Sequence, residues 1–142
     1  MVARSRSRSG KNACPVTAYA RAVVSGRIVA GRLVRLACER HLADLKNGRK
    51  RGLVWDADAA RHAIDFFGHL RHSTGEWAGE PFVLQDWQQF VVGSLYGWKR
   101  KNGLRRFRTA YVEVARKNGK SVLLAGTALY ALIADGEPGA HV

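Results

Sequence analysis

The chain has 142 residues, enough for one domain with a modest hydrophobic core, and 46% of them are apolar, as in ordinary globular proteins. Its 24 lysines and arginines against 11 aspartates and glutamates give a net charge of +13, which indicates a polyanionic partner, most often nucleic acid. No apolar run is long enough to span a membrane, and the two cysteines lack metal or redox spacing, so neither membrane spans nor cysteine-based sites are expected.

The first part of the chain is predicted to be a basic tail followed by helices. Residues 1–12, in which Arg4, Arg6 and Arg8 alternate with serines, are expected to form a disordered basic tail. Pro15 to Val24 has the pattern of a short helix that Gly26 would stop. Gly31 to Lys46 carries apolar residues at helical spacing, and Asn47-Gly48 should end that second helix.

Asp56 is suited to cap a third helix, which would have one apolar and one polar face. The apolar face consists of Ala60, Ala63, Ile64, Phe67 and Leu70, and Ser73-Thr74-Gly75 is expected to end the helix. The polar face carries His62, Asp65, His69 and His72, which are residue types that bind zinc. A solvated helix face explains the same spacing without a metal, and we favour that interpretation.

A fourth helix is predicted to begin near Gln85, and a basic hairpin is predicted to follow it. The apolar residues of this helix recur at three- and four-residue steps, at Trp87, Phe90, Val91, Leu95 and Trp98. Asn102-Gly103 is a favourable two-residue turn, which would pair a short strand near Trp98 with one near Phe107.

The motif with the clearest chemistry is Gly119-Lys120-Ser121. It follows an alternating, strand-like run from Thr109 to Val114 and opens an apolar helix predicted from Ser121 to Ala134. A strand, a short loop ending in Gly-Lys-Ser and a helix together grip nucleotide phosphates, with the lysine on the phosphates and the serine on Mg²⁺. The usual first glycine of this motif is replaced by Val114. A plain turn with an N-cap serine is the alternative interpretation.

These elements predict an α/β fold. We expect an N-terminal, helix-rich fragment of a P-loop NTPase domain, with one strand–P-loop–helix unit and an incomplete parallel sheet. Residues 135–139 should end the last helix, and Ala140-His141-Val142 resembles the opening of a second parallel strand. A βα unit without its returning strand is half of a crossover, so we expect the sequence to be truncated.

Several segments together resemble the large terminase subunit of tailed double-stranded DNA bacteriophages. Residues 115–121 are similar to its deviant phosphate-binding loop, which also lacks the first glycine. Residues 81–88 resemble its adenine-binding segment, which ends in Trp-Gln, and residues 129–140 continue the likeness. Residues 31–45 are similar to its N-terminal helix, so the resemblance covers most of residues 17–142.

The resemblance implies a role for each residue of the loop and for one upstream glutamine. Ala115, Arg116, Lys117, Asn118, Gly119, Lys120 and Ser121 would bind ATP, with Ser121 on Mg²⁺. Lys120 and Arg116 would be the catalytic residues, Arg116 as an arginine finger acting in cis on the γ-phosphate. Gln88 would read adenine through its amide, with Trp87 and Phe90 as an apolar wall. Arg116 could alternatively be a solvated loop residue without a catalytic role. Trp87 could alternatively be a core residue, and Gln88 a surface residue of the helix.

The resemblance also implies the organisation and setting of the protein. Residues 13–80 would be an N-terminal helical region, and residues 81–142 the start of an ATPase domain that stops before Walker B and the nuclease domain. The expected function is the ATP-binding part of an ATP-driven motor that packages phage DNA. The expected partners are double-stranded phage DNA, the small terminase subunit, the portal protein and further copies of the chain. The setting would be the cytoplasm of a bacterial host, for a phage or prophage protein.

Two other functions remain open at this point. One is an unrelated P-loop ATPase, against which Trp87-Gln88 and Arg116 argue. The other is a small basic DNA-binding protein in which Gly119-Lys120-Ser121 is incidental. Basic clusters at residues 46–51 and 99–108 would suit either DNA contact or a merely solubilising surface.

Overall fold

The computed structural model describes residues 14–71 and 79–135. They form a mostly helical α/β structure, with one short 3₁₀ turn at Gly48–Arg51. The α-helices and strands are α1 (Pro15–Val24), α2 (Arg32–Asn47), β1 (Leu53–Trp55), α3 (Ala57–Phe67), α4 (Asp86–Gly97), β2 (Trp98–Arg100) and α5 (Lys120–Ile133). Within the described ranges, no helix has both the length and the apolar character that a membrane span requires. The predictions for residues 1–12, Ser73-Thr74-Gly75 and residues 136–142 lie outside the described residues.

The predicted helices are confirmed, but α3 ends at Phe67, so His69 and Leu70, which were predicted to lie on it, follow its end. The other described boundaries shift by one or two residues. α1 has the predicted bounds and begins at Pro15, whose ring favours the helical φ and whose missing N–H is not needed there. Gly26 follows its end at a φ of +81°, which glycine adopts at little cost. α4 begins one residue after Gln85 and gives way to β2 at Trp98, one step earlier than its apolar pattern indicated.

Asp56 caps α3 as predicted. Its Oδ1 accepts a hydrogen bond of 2.9 Å from the Ala59 N–H, while Lys99 Nζ lies 2.8 Å from Oδ2. The bond from Lys99, and next the bond from Ala59, lower the pKa of the Asp56 carboxyl. The Asp56 carboxylate therefore caps the N-terminus of α3 and links that helix to β2.

Two clusters of buried side chains form the core, and α4 contributes to both. One lies among α3, α4 and α5 and includes Phe67, Val92 and Tyr130; the other lies among α1, α2 and α4 and includes Val16 and Phe90. The helices approach closely through small residues. A Cβ placed on Gly93 would lie 2.3 Å from Val16, and one on Gly126 would lie 2.3 Å from Phe67. Larger residues at these two glycines would force the helices apart.

The sheet is antiparallel and has two strands, with Leu53 opposite Arg100 and Trp55 opposite Trp98. β2 confirms the predicted strand near Trp98, and the predicted turn at Asn102-Gly103 is present. The returning chain forms a bridge between Lys99 and Arg105, and the Arg106 N–H donates to the Trp98 carbonyl at 2.9 Å. It forms no strand near Phe107, so that part of the prediction is wrong. Phe107 instead packs beneath arginines, with the Arg40 guanidinium 5.1 Å and the Arg106 guanidinium 4.9 Å from its ring centre.

The predicted strand from Thr109 to Val114 is also wrong for the described residues. The segment has no strand partner there, and Tyr111 is 83% exposed. A strand forms only when a neighbour satisfies its backbone, and the two described strands already pair with each other. No parallel sheet is present in the described ranges. α5 is consequently covered on one side only, and Leu124 and Ile133 on its other side are 71% and 67% exposed.

A buried histidine on α2 contacts both α1 and β2. His41, on α2, is 3% exposed and lies 3.0 Å from Thr17 Oγ1 on α1 and 3.0 Å from Trp98 Nε1 on β2. The indole N–H can only donate, so it donates to Nδ1 and the imidazole proton lies on Nε2, which donates to Thr17. Burial, with a smaller contribution from Arg106, lowers the pKa of His41 to about 4.

Candidate functional site

The Gly-Lys-Ser segment forms a tight turn at the start of α5. The chain turns at Arg116 and Lys117 and enters the helix at Lys120. Lys117 has a φ of 65° and Gly119 a φ of 72°, both in the left-handed region. Glycine adopts this region at little cost, whereas for a lysine it costs about 1–2 kcal/mol. Lys117, one of the residues predicted to bind phosphate, therefore has a strained backbone conformation in this turn.

Side chains of the turn bind its own backbone. Lys120 Nζ donates to the Val114 carbonyl at 2.8 Å, across the base of the turn. Asn118 Nδ2 lies 3.3 Å from the Ala115 carbonyl and 3.4 Å from that of Arg116. These bonds close the loop around the lysine in the described conformation.

The N-terminus of α5 suits an anion. Gly119 is the N-cap and supplies no side chain, and no acidic residue lies in the first turn. The first N–H groups of a helix lack partners within the helix, and the helix dipole makes this end positive. Ser121 is the second helical residue and is exposed, so it is not the N-cap serine of the plain-turn alternative.

Gln88 and the loop, 31 residues apart in the chain, are brought together. The Gln88 side chain is 3% exposed, and a Cβ on Gly119 would lie 3.3 Å from its Nε2. Its Oε1 accepts from the Gln85 N–H at 2.9 Å, as half of a capping box that begins α4. Trp87 is half-buried against both core clusters, and its Nε1 donates to Gln85 Oε1 at 2.9 Å.

Arg116 is exposed on the outside of the turn. It makes no ion pair with any described residue, and only its backbone carbonyl is engaged, by Asn118. Its guanidinium can therefore reorient toward a ligand on the loop without breaking a structural contact. Val114, at the position of the missing first glycine, is half-buried and accepts the bond from Lys120.

The polar stripe of α3 does not converge on one point. His62 Nδ1 lies 2.9 Å from the Tyr130 hydroxyl of α5, a contact that joins the two helices. Among the described residues, no three histidine, cysteine or carboxylate side chains are grouped as metal ligands. His72 lies outside the described residues.

The basic clusters at residues 46–51 and 99–108 lie side by side, because β1 follows the first and β2 begins the second. The carboxylates that pair with these clusters were not among the predicted site residues. Asp44 is 3% exposed and binds both Arg51 and Arg106, and Asp135 lies 3.3 Å from Arg105. Asp44 stands on α2 seven residues before Arg51, a spacing that gives no recognisable local signal.

Comparison with known proteins gives one match. A family model described as the terminase large subunit, ATPase domain, matches residues 86–142. The matched segment begins at the first residue of α4 and includes Gln88, the basic hairpin, the loop and α5. No curated protein and no solved structure matches the chain.

Proposed function

We propose that this chain binds ATP and Mg²⁺ as part of a DNA-packaging motor, because its residues 86–142 match the family model described as the terminase large subunit, ATPase domain. The observation that carries the proposal is the position of Gln88 against Gly119 at the uncapped N-terminus of α5. The segment that resembles the family's adenine-binding segment and the segment that resembles its phosphate-binding loop are thus in contact in this fold.

The residues of the turn fit a triphosphate. The free N–H groups of the first turn of α5 would hold phosphate oxygens, as helix N-termini do in other nucleotide sites. Lys120 would exchange the Val114 carbonyl for the β- and γ-phosphates, replacing a neutral acceptor by a charged one. The exposed Ser121 hydroxyl would ligate Mg²⁺. Bound ATP supplies the phosphoryl group whose transfer to water drives movement.

Arg116 is assigned the role of an arginine finger in this proposal. Charge builds on the γ-phosphate oxygens in the transition state, and a guanidinium beside them stabilises it. The exposure of Arg116 and its lack of an ion pair with any described residue support the assignment. Gln88 is assigned to adenine, and the second lone pair of Oε1 remains available to accept from the adenine amino group.

The test separates ground-state binding from transition-state stabilisation. Titration of the full chain with a fluorescent ATP analogue and Mg²⁺ should show binding that Lys120→Ala abolishes and Arg116→Ala largely preserves. Lys50→Ala, which removes an exposed positive charge from the 3₁₀ turn, is the matched control and should bind normally. Equal loss in the Lys120 and Arg116 variants would contradict the division of roles.

The same titration distinguishes the other candidate functions. A small basic DNA-binding protein with an incidental Gly-Lys-Ser would show no Mg²⁺-dependent nucleotide binding. An unrelated P-loop ATPase would bind nucleotide but would not need Gln88 or Arg116. As a packaging motor, the protein would work in the host cytoplasm on double-stranded phage DNA, with the small terminase subunit, the portal protein and further copies of itself.

A further inference from the structure

The two basic clusters form one surface, which we call the hairpin surface: residues 49–51 together with residues 99–108. The Lys101 N–H donates to the Gly52 carbonyl at 3.0 Å, directly beyond the β1–β2 ladder. A Cβ on Gly52 would lie 3.7 Å from the Lys101 side chain. Residues about 50 positions apart in the chain thus lie next to each other at one end of the small sheet.

The cations of the hairpin surface divide into two groups. Four are paired with carboxylates: Arg51 and Arg106 with Asp44, Lys99 with Asp56, and Arg105 with Asp135. Lys99, Arg105 and Arg106 are half-buried, and Arg106 also stacks on Trp98. These cations build the surface, because each is held by a carboxylate within the fold, with Asp44 shared between Arg51 and Arg106.

The second group has no such role in the fold. Its five members are exposed and form no ion pair with any carboxylate of the described residues: Arg49, Lys50, Arg100, Lys101 and Arg108. Arg100 lines three neighbouring grooves, of about 930, 670 and 420 Å³. Arg108 lines the first of these grooves, and Lys101 lines the other two. The uncompensated charges therefore lie along neighbouring grooves around the hairpin.

The exposed cations of this surface, and its lack of open aromatic rings, indicate the chemistry of its ligand. Five uncompensated cations suit a repeating polyanion, and phosphates held by such cations bind without regard to base sequence. Single-stranded nucleic acid is usually held by stacking its bases on open aromatic rings. Here Trp98 is buried and Phe107 is covered by Arg40 and Arg106. The surface thus matches an intact duplex better than separated strands.

We infer that Arg49, Lys50, Arg100, Lys101 and Arg108 contact the phosphate backbone of double-stranded DNA, while the paired cations of the hairpin surface only support them. The choice of DNA as the polyanion rests on the proposed function. The site itself is separate from the nucleotide loop, so DNA binding and nucleotide binding can be lost independently.

The test measures the salt dependence of binding between the full chain and a fluorescent DNA duplex of arbitrary sequence, without nucleotide. Each phosphate contact contributes about 0.9 to the slope of log affinity against log salt, so Arg100→Gln with Lys101→Gln should lower the slope by about 1.8. Arg27→Gln with Arg32→Gln removes the same charge from the exposed start of α2 and the turn before it, and should leave the slope unchanged.

A second control removes a supporting pair without changing the net charge. Arg105→Gln with Asp135→Asn should leave the slope unchanged, provided that circular dichroism shows a native fold. Equal losses in the Arg100/Lys101 and Arg27/Arg32 variants would show that net charge alone acts and would overturn the inference. Tighter binding of a single strand of equal length would overturn the duplex assignment. Lys120→Ala should bind DNA normally, so loss of nucleotide binding alone would leave this inference standing.

Discussion

At the scale of single residues, Gln88 has one observed role and one proposed role. Its oxygen completes the capping box of α4, and its amide nitrogen lies against Gly119 of the loop. A buried amide that caps the helix and packs against the loop ties the position of the loop to that of α4. The sequence identified Gln88 and the loop as candidates, but only the packing of α4 beside α5 shows that they meet, because no local pattern encodes a contact over 31 residues.

Substitution of Gln88 should separate these two functions. In Gln88→Ala we expect the preference for ATP over GTP to shrink, by up to about 1–3 kcal/mol for a paired amide. Loss of the cap should also lower the free energy of unfolding by about 1 kcal/mol. Gln88→Glu retains an oxygen for the Gln85 N–H, so it should largely retain stability while losing the amide donor. Parallel titrations with ATP and GTP, together with urea unfolding, measure both effects. An unchanged ATP preference in the alanine variant would exclude adenine recognition by Gln88.

At the scale of elements, the helices and the strand near Trp98 were predictable, and the partner of that strand was not. Apolar spacing and the capping role of Asp56 are local, and the structure confirms both. β1 has three residues and owes its existence to β2, so its own sequence carried no signal. The run from Thr109 to Val114 has the composition of a strand but no partner among the described residues. Strand propensity mainly reflects how well a side chain packs against neighbouring strands, so it does not predict a strand where no neighbouring strand is present.

The contact between α1, α2 and β2 should make stability depend on pH. His41 is neutral in the folded chain, with its pKa lowered by burial and then by Arg106 from an ordinary 6.5 to about 4. Below about pH 6.5 the unfolded chain binds a proton at His41, whereas the folded chain binds it only near pH 4. The free energy of unfolding therefore falls by on the order of 2–3 kcal/mol as the pH drops from about 6.5 towards 4. Urea unfolding between pH 7 and pH 4.5 measures this loss.

The His41→Gln variant tests the assignment, because an amide can still donate to Thr17 and accept from Trp98 without titrating. We expect the variant to be less stable than the parent at pH 7 but to lose little more on acidification. His62→Gln, altered at the contact with Tyr130 instead, should retain the pH dependence of the parent. If the slope in this pH range is the same in His41→Gln as in the parent, His41 is not its source.

At the scale of the whole molecule, the proposed phosphate-binding loop and Asp135 are far apart. Hydrolysis of ATP needs an acidic residue near Mg²⁺ and a second group that positions the attacking water. After the loop, the sequence contains only Asp135 and Glu137 as carboxylates. Asp135 follows the far end of α5, about 20 Å from Lys120 along a helix that rises about 1.5 Å per residue, and it is bound to Arg105. Glu113, before the loop, accepts a hydrogen bond from Tyr111.

We therefore expect these 142 residues to bind ATP without turning it over. Phosphate release from the purified chain with ATP and Mg²⁺ should not exceed that of a Lys120→Ala control, even where the fluorescent analogue shows binding. Addition of duplex DNA should leave the rate at background, because the hairpin surface adds positive charges but no carboxylate near Ser121. Steady release that Lys120→Ala abolishes would show instead that a carboxylate of the chain reaches the site. Glu113→Gln, Asp135→Asn and Glu137→Gln would then test the three carboxylates nearest to the loop in the sequence.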